Sequence, residues 1–301
     1  MGNPNKNFKF LLSIVLALIA LGLVLLMVVH GNFVLFNPKG IVALKERSLI
    51  VTAIGLMFIV VIPVFIATFY FAWKYRAGRD AEYAPDSNHN VKLELLWWAI
   101  PAAVIFVLAI INWKSAHDLD PYKPLQSAAK PLTIQVVSLR WKWLFIYPEQ
   151  NIATVNFIEF PENVPVNFQL TSDASMNSFW IPQLGGQMYA MAGMQTQLHL
   201  MAGEPGEFNG SAAEINGTGF AGMKFIAKAS SQANFYAWVE SVKKSSQTLN
   251  QEAYNKLAEP SENNPATFYS STEKNLYSTI MMKYMMPAST HMDMPGMEAS
   301  K

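Results

Sequence analysis

The stretch from Met176 to Met223 decides the fold. It reads MNSFWIPQLGGQMYAMAGMQTQLHL at residues 176–200 and GEFNGSAAEINGTGFAGM at residues 206–223. Apolar and polar residues alternate in two short segments. Within the stretch, Gln195, Gln197 and His199 alternate with Thr196, Leu198 and Leu200, and just upstream Val166, Phe168 and Leu170 occupy every second position. Alternation with a period of two is typical of half-buried strands. Several such strands separated by Gly and Asn predict a β-sandwich or a Greek-key barrel, with His199 on the polar face of its strand.

The composition of the whole chain is that of a membrane protein. Its 301 residues are 51% hydrophobic and 14% charged, with a formal net charge of +1. So small a net charge gives no support for a nucleic-acid partner. The chain has no cysteine, which excludes disulfides, Cys-based metal sites, a Cys nucleophile and lipidation at a cysteine.

The first apolar segment has two interpretations. No charged residue occurs from Leu11 to Val29, and Lys6 and Lys9 precede the segment. It is either a cleaved signal peptide or a retained membrane helix. A signal peptide has an apolar region of about 7–15 residues, whereas a spanning helix needs about 17–25. The length of the segment favours the retained helix.

The second and third apolar segments predict a membrane hairpin. Neither Ser48 to Trp73 nor Leu95 to Trp113 contains a charged residue, and a polar connection over residues 31–47 precedes them. The loop between them has four basic residues, namely Lys74, Arg76, Arg79 and Lys92. The positive-inside rule places this loop in the cytoplasm. Everything after Lys114 then lies outside, in the periplasm of a bacterium with an outer membrane.

Aromatic residues mark a strand upstream of the central stretch. Trp141, Trp143 and Phe145 recur with a period of two, which predicts that they share one face of a strand. We interpret them as core residues of the sandwich, because aromatic side chains dominate core burial.

Helices are predicted after the strands. The pair Ser230-Ser231 is expected to cap a helix over residues 232–242. The capping-box pattern that begins at Thr248 precedes a second helix at residues 253–257. A tail with many methionines follows, from Met281 to Met297.

These patterns divide the chain into four expected segments. Residues 1–47 hold the N-terminal apolar helix and its connection, and residues 48–114 hold the transmembrane hairpin. Residues 115–229 form the all-β domain. Residues 230–301 form a short helical C-terminal arm and the Met-rich tail.

The chain resembles subunit II of the haem-copper oxidases, and within that family the quinol-oxidising branch, the cytochrome o (bo-type) ubiquinol oxidases. The resemblance begins at about Phe36 and includes the stretches NPKG, RSLI, WKWLFIYPEQ, IATVNF, MYAMAGMQT and GMKF. It implies a cupredoxin-like sandwich behind the hairpin. It also implies a multi-pass protein of a bacterial inner membrane, with its C-terminal domain in the periplasm.

The resemblance also identifies the positions of a copper site. In the cytochrome c oxidases of the family, a His in an H-S-F motif and a loop of the form Cys-x-Glu-x-Cys-x3-His-x2-Met hold two copper ions. The corresponding residues here are Asn177, Ala212, Glu214, Asn216, Phe220 and Met223. Only Glu214 and Met223 keep their types, and soft copper sites need several convergent thiolate, thioether or imidazole donors. We therefore expect no metal and no cofactor in this chain, with Glu214 as a turn acid and Met223 as a core thioether.

Glu94 is the candidate functional residue. It lies in VKLELLWWAIP at the start of the third apolar segment. One interpretation is structural, because the helix dipole favours an acid in the first turn by about 0.3–1 kcal/mol. The resemblance implies a second role, since the family places a Glu here at the mouth of a proton-uptake path into subunit I.

The Met-rich tail leaves two interpretations open. Its segment HMDMPGM groups soft donors with His291, as Cu(I)-handling segments do. The interpretation that we favour is a flexible end whose methionines fill irregular gaps.

The resemblance implies the function as well. The chain is expected to be subunit II of a quinol-oxidising, proton-pumping terminal oxidase, with haem b, haem o, copper and the ubiquinol site in partner subunit I. Subunits III and IV and membrane lipid are further expected partners. The alternatives are a cytochrome c oxidase-type electron-transfer subunit, which the missing cysteines oppose, and a copper-handling membrane protein. The choice between ubiquinol and menaquinol, and whether this chain touches quinone, stay open.

Overall fold

Two long helices dominate the first part of the described chain, after a short 3-10 helix at Val34–Phe36. The computed structural model describes residues 34–76 and 90–285. Helix α1 covers Ile41–Lys74 and helix α2 covers Val91–Asp118, and both are long and apolar enough to cross a membrane. The two predicted spanning helices are confirmed. The segment from Leu11 to Val29 lies outside the described residues.

Helix α1 begins at Ile41, inside the stretch 31–47 that we expected to be a polar connection. The reason is a tertiary contact with the all-β domain. The first N–H groups of a helix have no partner within the helix, and the N–H of Ala43 donates to the carbonyl of Leu184 at 3.1 Å. Gly40 allows this approach, because a Cβ there would lie only 2.5 Å from the same carbonyl oxygen. The start of α1 is therefore fixed on the sandwich by backbone contacts.

Eleven strands follow in the described part of the chain. They are β1 Leu132–Leu139, β2 Lys142–Tyr147, β3 Ile152–Val155, β4 Phe157–Pro161, β5 Val166–Ser172, β6 Asn177–Trp180, β7 Met188–Ala190, β8 Thr196–Leu200, β9 Gly206–Ala212, β10 Lys224–Ser230 and β11 Thr267–Tyr269. One sheet has the order β11-β3-β2-β1-β5-β8, and the other has the order β4-β10-β9-β6-β7. The predicted all-β sandwich is confirmed.

The chain crosses repeatedly between the two sheets. Most neighbouring strands are antiparallel, but β1 pairs with β5, and β4 with β10, in parallel. Parallel neighbours need a crossover connection. Between β1 and β5 the chain passes through β4 of the other sheet, and between β4 and β10 it passes through β5 and β8 of the other sheet. The register brings β6, β9 and the start of β10 side by side, and these strands carry the expected site positions.

Aromatic side chains fill the core between the sheets. Trp143 and Phe145 are fully buried there, which confirms their interpretation as core residues. The rings of Phe179 and Phe225 stack with centroids 5.1 Å apart. The prediction was wrong for Trp141, which has a φ of 62° and lies in the turn before β2, so it packs on the core from the edge. This core supports the loops around Met223.

Three short helices complete the structure, namely α3 Gln232–Lys243, α4 Gln251–Ala258 and α5 Leu276–Met282. Ser231 caps α3, as predicted. The capping-box prediction at Thr248 was wrong, because Asn250 is the cap of α4 and its side-chain oxygen accepts from the N–H of Ala253 at 2.8 Å. Because the Asn directly before the helix accepts from a free N–H of the first turn, this helix needs no capping box.

Two buried charges attach these helices to the sandwich. The carboxylate of Asp173 accepts hydrogen bonds from the hydroxyls of Tyr254 and Tyr284. Burial, together with the hydrogen bond to Asp173, raises the pKa of Tyr254 above its ordinary value, so its hydroxyl keeps the proton that it donates. On the other side, the Lys142 ammonium donates to the Glu259 carbonyl at 2.8 Å.

Candidate functional site

The thioether of Met223 lies at the centre of the expected site positions. Met223 is fully buried and follows a 3-10 turn at Thr218–Gly222. Its sulfur accepts from the side-chain amide of Asn177 at 3.0 Å and faces the amide of Asn216 at 3.7 Å. Asn177, Asn216 and Met223 are called the Met223 cluster below. The structure thus brings three of the six positions into direct contact.

Asn177 is held from both ends of its amide. It is the first residue of β6, is fully buried, and pairs with Ala190 of β7. While its nitrogen donates to Met223, its oxygen accepts from the backbone N–H of Ser178 at 2.8 Å. Because both ends of the amide have partners, the burial of this polar side chain carries little penalty.

Two apolar side chains close the surroundings of Met223. Ala212 ends β9 and is buried, and its N–H donates to the Met223 carbonyl at 3.0 Å. Phe220 packs half-buried against the core, and its carbonyl accepts from the Met223 N–H at 3.0 Å. A methyl and a phenyl group therefore stand at two of the positions where the resemblance implies a thiolate and an imidazole.

Glu214 lies apart from this closed interior. It occupies the bend after β9 and is half-buried, and in the described part of the chain it makes no hydrogen bond or ion pair. The next residue, Ile215, has 80% of its surface exposed. This loop is therefore open to solvent or to a partner, whereas Met223 is enclosed.

The residues present do not fit a two-copper site. The Met223 sulfur is already a hydrogen-bond acceptor, and the side-chain nitrogens of Asn177 and Asn216 are donors, which cannot act as ligands in that state. The chain has no cysteine. Within residues 34–76 and 90–285, no group of three His, Cys, Asp or Glu side chains could hold a metal ion.

Glu94 lies at the end of the hairpin that is farthest from the sandwich. It is in the first turn of α2, its side chain is exposed, and its N–H donates to the carbonyl of Asn90 at 2.9 Å. The 28 residues of α2 span about 42 Å at 1.5 Å per residue. The other end of α2 leads directly into the all-β domain, so Glu94 and the sandwich occupy opposite ends of the spanning segment.

The alternating pattern did not reveal the environment of His199. It lies on the outward face of β8 as predicted, but only 6% of its surface is exposed, because the segment after α2 covers it. Its ring Nδ1–H donates to the carbonyl of Pro121 at 2.9 Å. No sequence signal connects residues so distant in the chain.

The Met-rich tail is described only in part. Met281 and Met282 lie in helix α5, and Met285 lies in the turn that follows it. Met286 and the segment HMDMPGM lie outside the described residues.

Two protein-family models match the chain. The model described as "Cytochrome C oxidase subunit II, periplasmic domain" matches residues 146–230, and the "COX Aromatic Rich Motif" matches residues 243–288. The first match contains the whole Met223 cluster. The second contains helices α4 and α5.

Curated relatives match over most of their length. The cytochrome bo(3) ubiquinol oxidase subunit 2 of Pseudomonas aeruginosa is 55% identical, and the match covers 84% of this chain and 77% of the relative. The ubiquinol oxidase subunit 2 of Acetobacter aceti is 51% identical, with coverage of 82% and 81%. Among solved structures, the periplasmic domain of subunit II of cytochrome oxidase of Bradyrhizobium japonicum is 22% identical, covers 40% of this chain and 98% of its own, and has a TM-score of 0.38.

Proposed function

The chain belongs to the ubiquinol oxidase subunit 2 family of the haem-copper oxidases, and from this we propose that it is the copper-free subunit II of a quinol-oxidising, proton-pumping terminal oxidase. In that complex, electrons pass from ubiquinol to oxygen. The haem and copper groups belong to subunit I, and subunits III and IV complete the assembly. This chain contributes the spanning helices, the sandwich and one acid.

The Met223 cluster carries the proposal. A subunit that relays electrons from a soluble cytochrome needs a redox centre in its extramembrane domain. Here the corresponding position is filled by amides that donate to the one soft donor, Met223. A lipid-soluble quinol reaches subunit I through the membrane, so it requires no relay in this domain. The redox chemistry is then that of cofactors on another chain.

The orientation follows from the basic loop and the two helix ends. Both the start of α1 and the end of α2 lie against the sandwich, and the basic residues Lys74 and Arg76 lie at the other end of the hairpin. We assign the sandwich to the periplasm by the positive-inside rule. Glu94 is then at the cytoplasmic face, where a carboxylate can receive protons and pass them inward.

The same proposal assigns a role to each segment of the chain. Residues 1–47 and 48–114 anchor the subunit, residues 115–229 cover the outer face of subunit I, and residues 230–301 extend that cover. The arrangement is supported by the backbone contacts that fix α1 on the sandwich.

Purification of the complex through a tag on this chain tests the proposed function. The expected result is a haem-bearing subunit I in the preparation and oxygen uptake that ubiquinol drives. Efficient oxygen uptake with reduced cytochrome c as the donor would contradict it and favour the electron-transfer alternative. A preparation that contains this chain without haem would favour a copper-handling membrane protein instead.

A further inference from the structure

A cavity lies where the two spanning helices meet the sandwich. It has a volume of about 460 Å³, and we call it the junction cavity. Its walls are the first turns of α1, the end of α2 with the segment that follows it, the loop at residues 186–187 and the end of β8. It therefore joins the membrane part of the chain to the all-β part.

The length of α1 leads us to expect the junction cavity at the depth of the lipid head groups. Helix α1 has 34 residues and a length of about 50 Å, which exceeds the hydrocarbon thickness of about 30 Å. Its uncharged part begins at Ser48. The turns before Ser48 line the cavity, so they extend into the polar layer of the leaflet on the sandwich side.

The walls of the junction cavity carry charges of both signs. Lys45 and Lys123 supply ammonium groups, and Glu46, Asp118 and Asp120 supply carboxylates. The ion pair described here joins Lys123 to Asp118 at 3.8 Å, with side chains that are 55% and 69% exposed. An exposed pair of this kind holds its partners only weakly. The cavity thus offers cationic donors and anionic acceptors to the same ligand.

Two acceptors in the wall are withdrawn from bulk water. Glu46 is half-buried, and the backbone of Gly186 donates one hydrogen bond to its carboxylate, whose two oxygens can accept further hydrogen bonds. His199 is more than nine-tenths buried. A carbonyl can only accept, so Nδ1 carries the hydrogen that Pro121 engages, and no described residue makes a hydrogen bond with Nε2.

A metal ion does not fit this arrangement. In the described ranges no three potential metal-ligand side chains converge, and Lys45 and Lys123 stand beside the acids. A ligand with a separate anion and cation satisfies both sets of charges. A zwitterionic phospholipid head group carries a phosphate and an amine at this depth.

We propose that the junction cavity binds the head group of phosphatidylethanolamine. Lys45 and Lys123 hold the phosphate, since a lysine ammonium is a common phosphate partner. The ethanolamine ammonium donates its hydrogens to Glu46, His199 and the neighbouring carboxylates. A choline head group has the same charge but no N–H to donate, and a phosphoglycerol head group has no cation. The cavity therefore selects ethanolamine over both.

The helix surfaces beside the cavity suit acyl chains, which favours a lipid over a soluble phosphate ester. Leu44 and Val51 on α1 are 50% and 52% exposed, and Trp113 on α2 is 71% exposed. Tryptophan is enriched at the boundary between head groups and hydrocarbon. A soluble phosphoethanolamine ester would lack these apolar contacts.

Native mass spectrometry of the whole oxidase complex tests the proposal. The complex is placed in bilayer discs that contain equal amounts of phosphatidylethanolamine, phosphatidylcholine and phosphatidylglycerol, and the retained lipids are counted. The wild-type complex should retain about ten times more ethanolamine lipid than choline lipid. The reason is that a choline head group cannot form the charge-assisted hydrogen bonds that an ethanolamine ammonium donates. Glu46→Gln keeps the side-chain shape but removes the charge, so this preference should fall to about twofold. Glu252→Gln, on the exposed face of α4, is the matched control and should not change it.

Several results would overturn the site. One is equal retention of ethanolamine and choline lipids by wild type, and another is an unchanged preference in Glu46→Gln. Binding of soluble glycerophosphoethanolamine as tight as that of the lipid would assign the cavity to a free phosphate ester. If the Glu46→Gln complex does not assemble with haem, the wild-type complex is tested instead. Its retention of ethanolamine lipids that carry one, two or three N-methyl groups is then measured. A stepwise loss of retention with each added methyl group supports the proposal. Equal retention of all these lipids contradicts it.

Discussion

The Met223 cluster and the junction cavity both hold polar side chains away from bulk water, but the cluster groups neutral amides around a thioether whereas the cavity groups charged side chains around an open volume. In the cluster, the amide of Asn177 donates to the Met223 sulfur and accepts from the backbone. In the cavity, Glu46 and His199 line an open volume of about 460 Å³. The two regions therefore differ in open space and in charge, and not in hydrogen bonding alone, because Asn216 Oδ1 in the cluster has no partner in the described structure and Glu46 in the cavity accepts from Gly186.

Packing explains why the cluster is closed. An unfilled cavity of side-chain size costs stability in proportion to its volume. Ala212 and Phe220 belong to or pack on the apolar core, and the two amides supply donors, so the sulfur of Met223 is fully buried and hydrogen-bonded. In the cavity, by contrast, the charged groups come from the start of α1 and from the region around the end of α2, and close packing would bury unpaired ions.

Breaking the attachment of α1 is expected to have the largest effect, because the junction cavity depends on it. A Cβ at Gly40 would lie 2.5 Å from the Leu184 carbonyl oxygen. Gly40→Val should therefore force α1 off the sandwich, at a cost of about 3 kcal/mol. The purified complex should have a lower Tm and less haem per subunit II.

Gly55→Val, in the same helix, is the control for this change. A Cβ at Gly55 meets no atom within 4 Å in the described structure. If the two variants gave the same Tm and haem content, α1 would not depend on its contact with the sandwich.

A double-mutant cycle tests whether the Met223 cluster acts as a unit. Asn177→Leu removes the donor to the sulfur and leaves the Ser178 N–H without its acceptor, which should cost about 1–3 kcal/mol. Adding Met223→Leu should cost less than the sum of the two single changes, because removing both partners costs less than removing one. The stabilities of the complexes with the wild-type chain, the two single variants and the double variant are measured by thermal unfolding. Strictly additive values would show that the amide and the thioether are not coupled.

The proposed proton-entrance role of Glu94 would distinguish the end of the membrane hairpin that is far from the sandwich. Glu94→Ala should lower quinol-driven oxygen uptake several-fold without changing haem content, because the carboxylate no longer supplies protons at the far end of α2. The matched exposed acid is Glu252, and Glu252→Gln should leave uptake unchanged. Wild-type uptake in Glu94→Ala would refute the proton-entrance role and leave a helix-terminal acid.

Sequence patterns predicted the elements that depend on periodicity. The two spanning helices and the alternating core of β5 follow directly from the order of apolar residues. The helix limits did not follow, because the first turn of α1 is completed by a carbonyl of Leu184, far along the chain. Trp141 was assigned to a strand because periodicity does not reveal a left-handed residue in a turn.

The site was predictable only as a set of positions. The sequence shows which residue types stand at Asn177, Asn216 and Met223, and hence that copper donors are missing. It does not show that two amides approach the sulfur, since this depends on the register of β6 against β9. The burial of His199 by the Pro121 segment is likewise a tertiary fact.

Near-infrared absorption, together with copper analysis of the purified oxidase complex, tests the central claim most directly. That claim is that the Met223 cluster occupies the interior of the sandwich without metal. The account predicts no near-infrared band of a two-copper centre and only the copper of subunit I in the metal count. A near-infrared band with two additional copper ions per complex, lost in Met223→Leu, would contradict it.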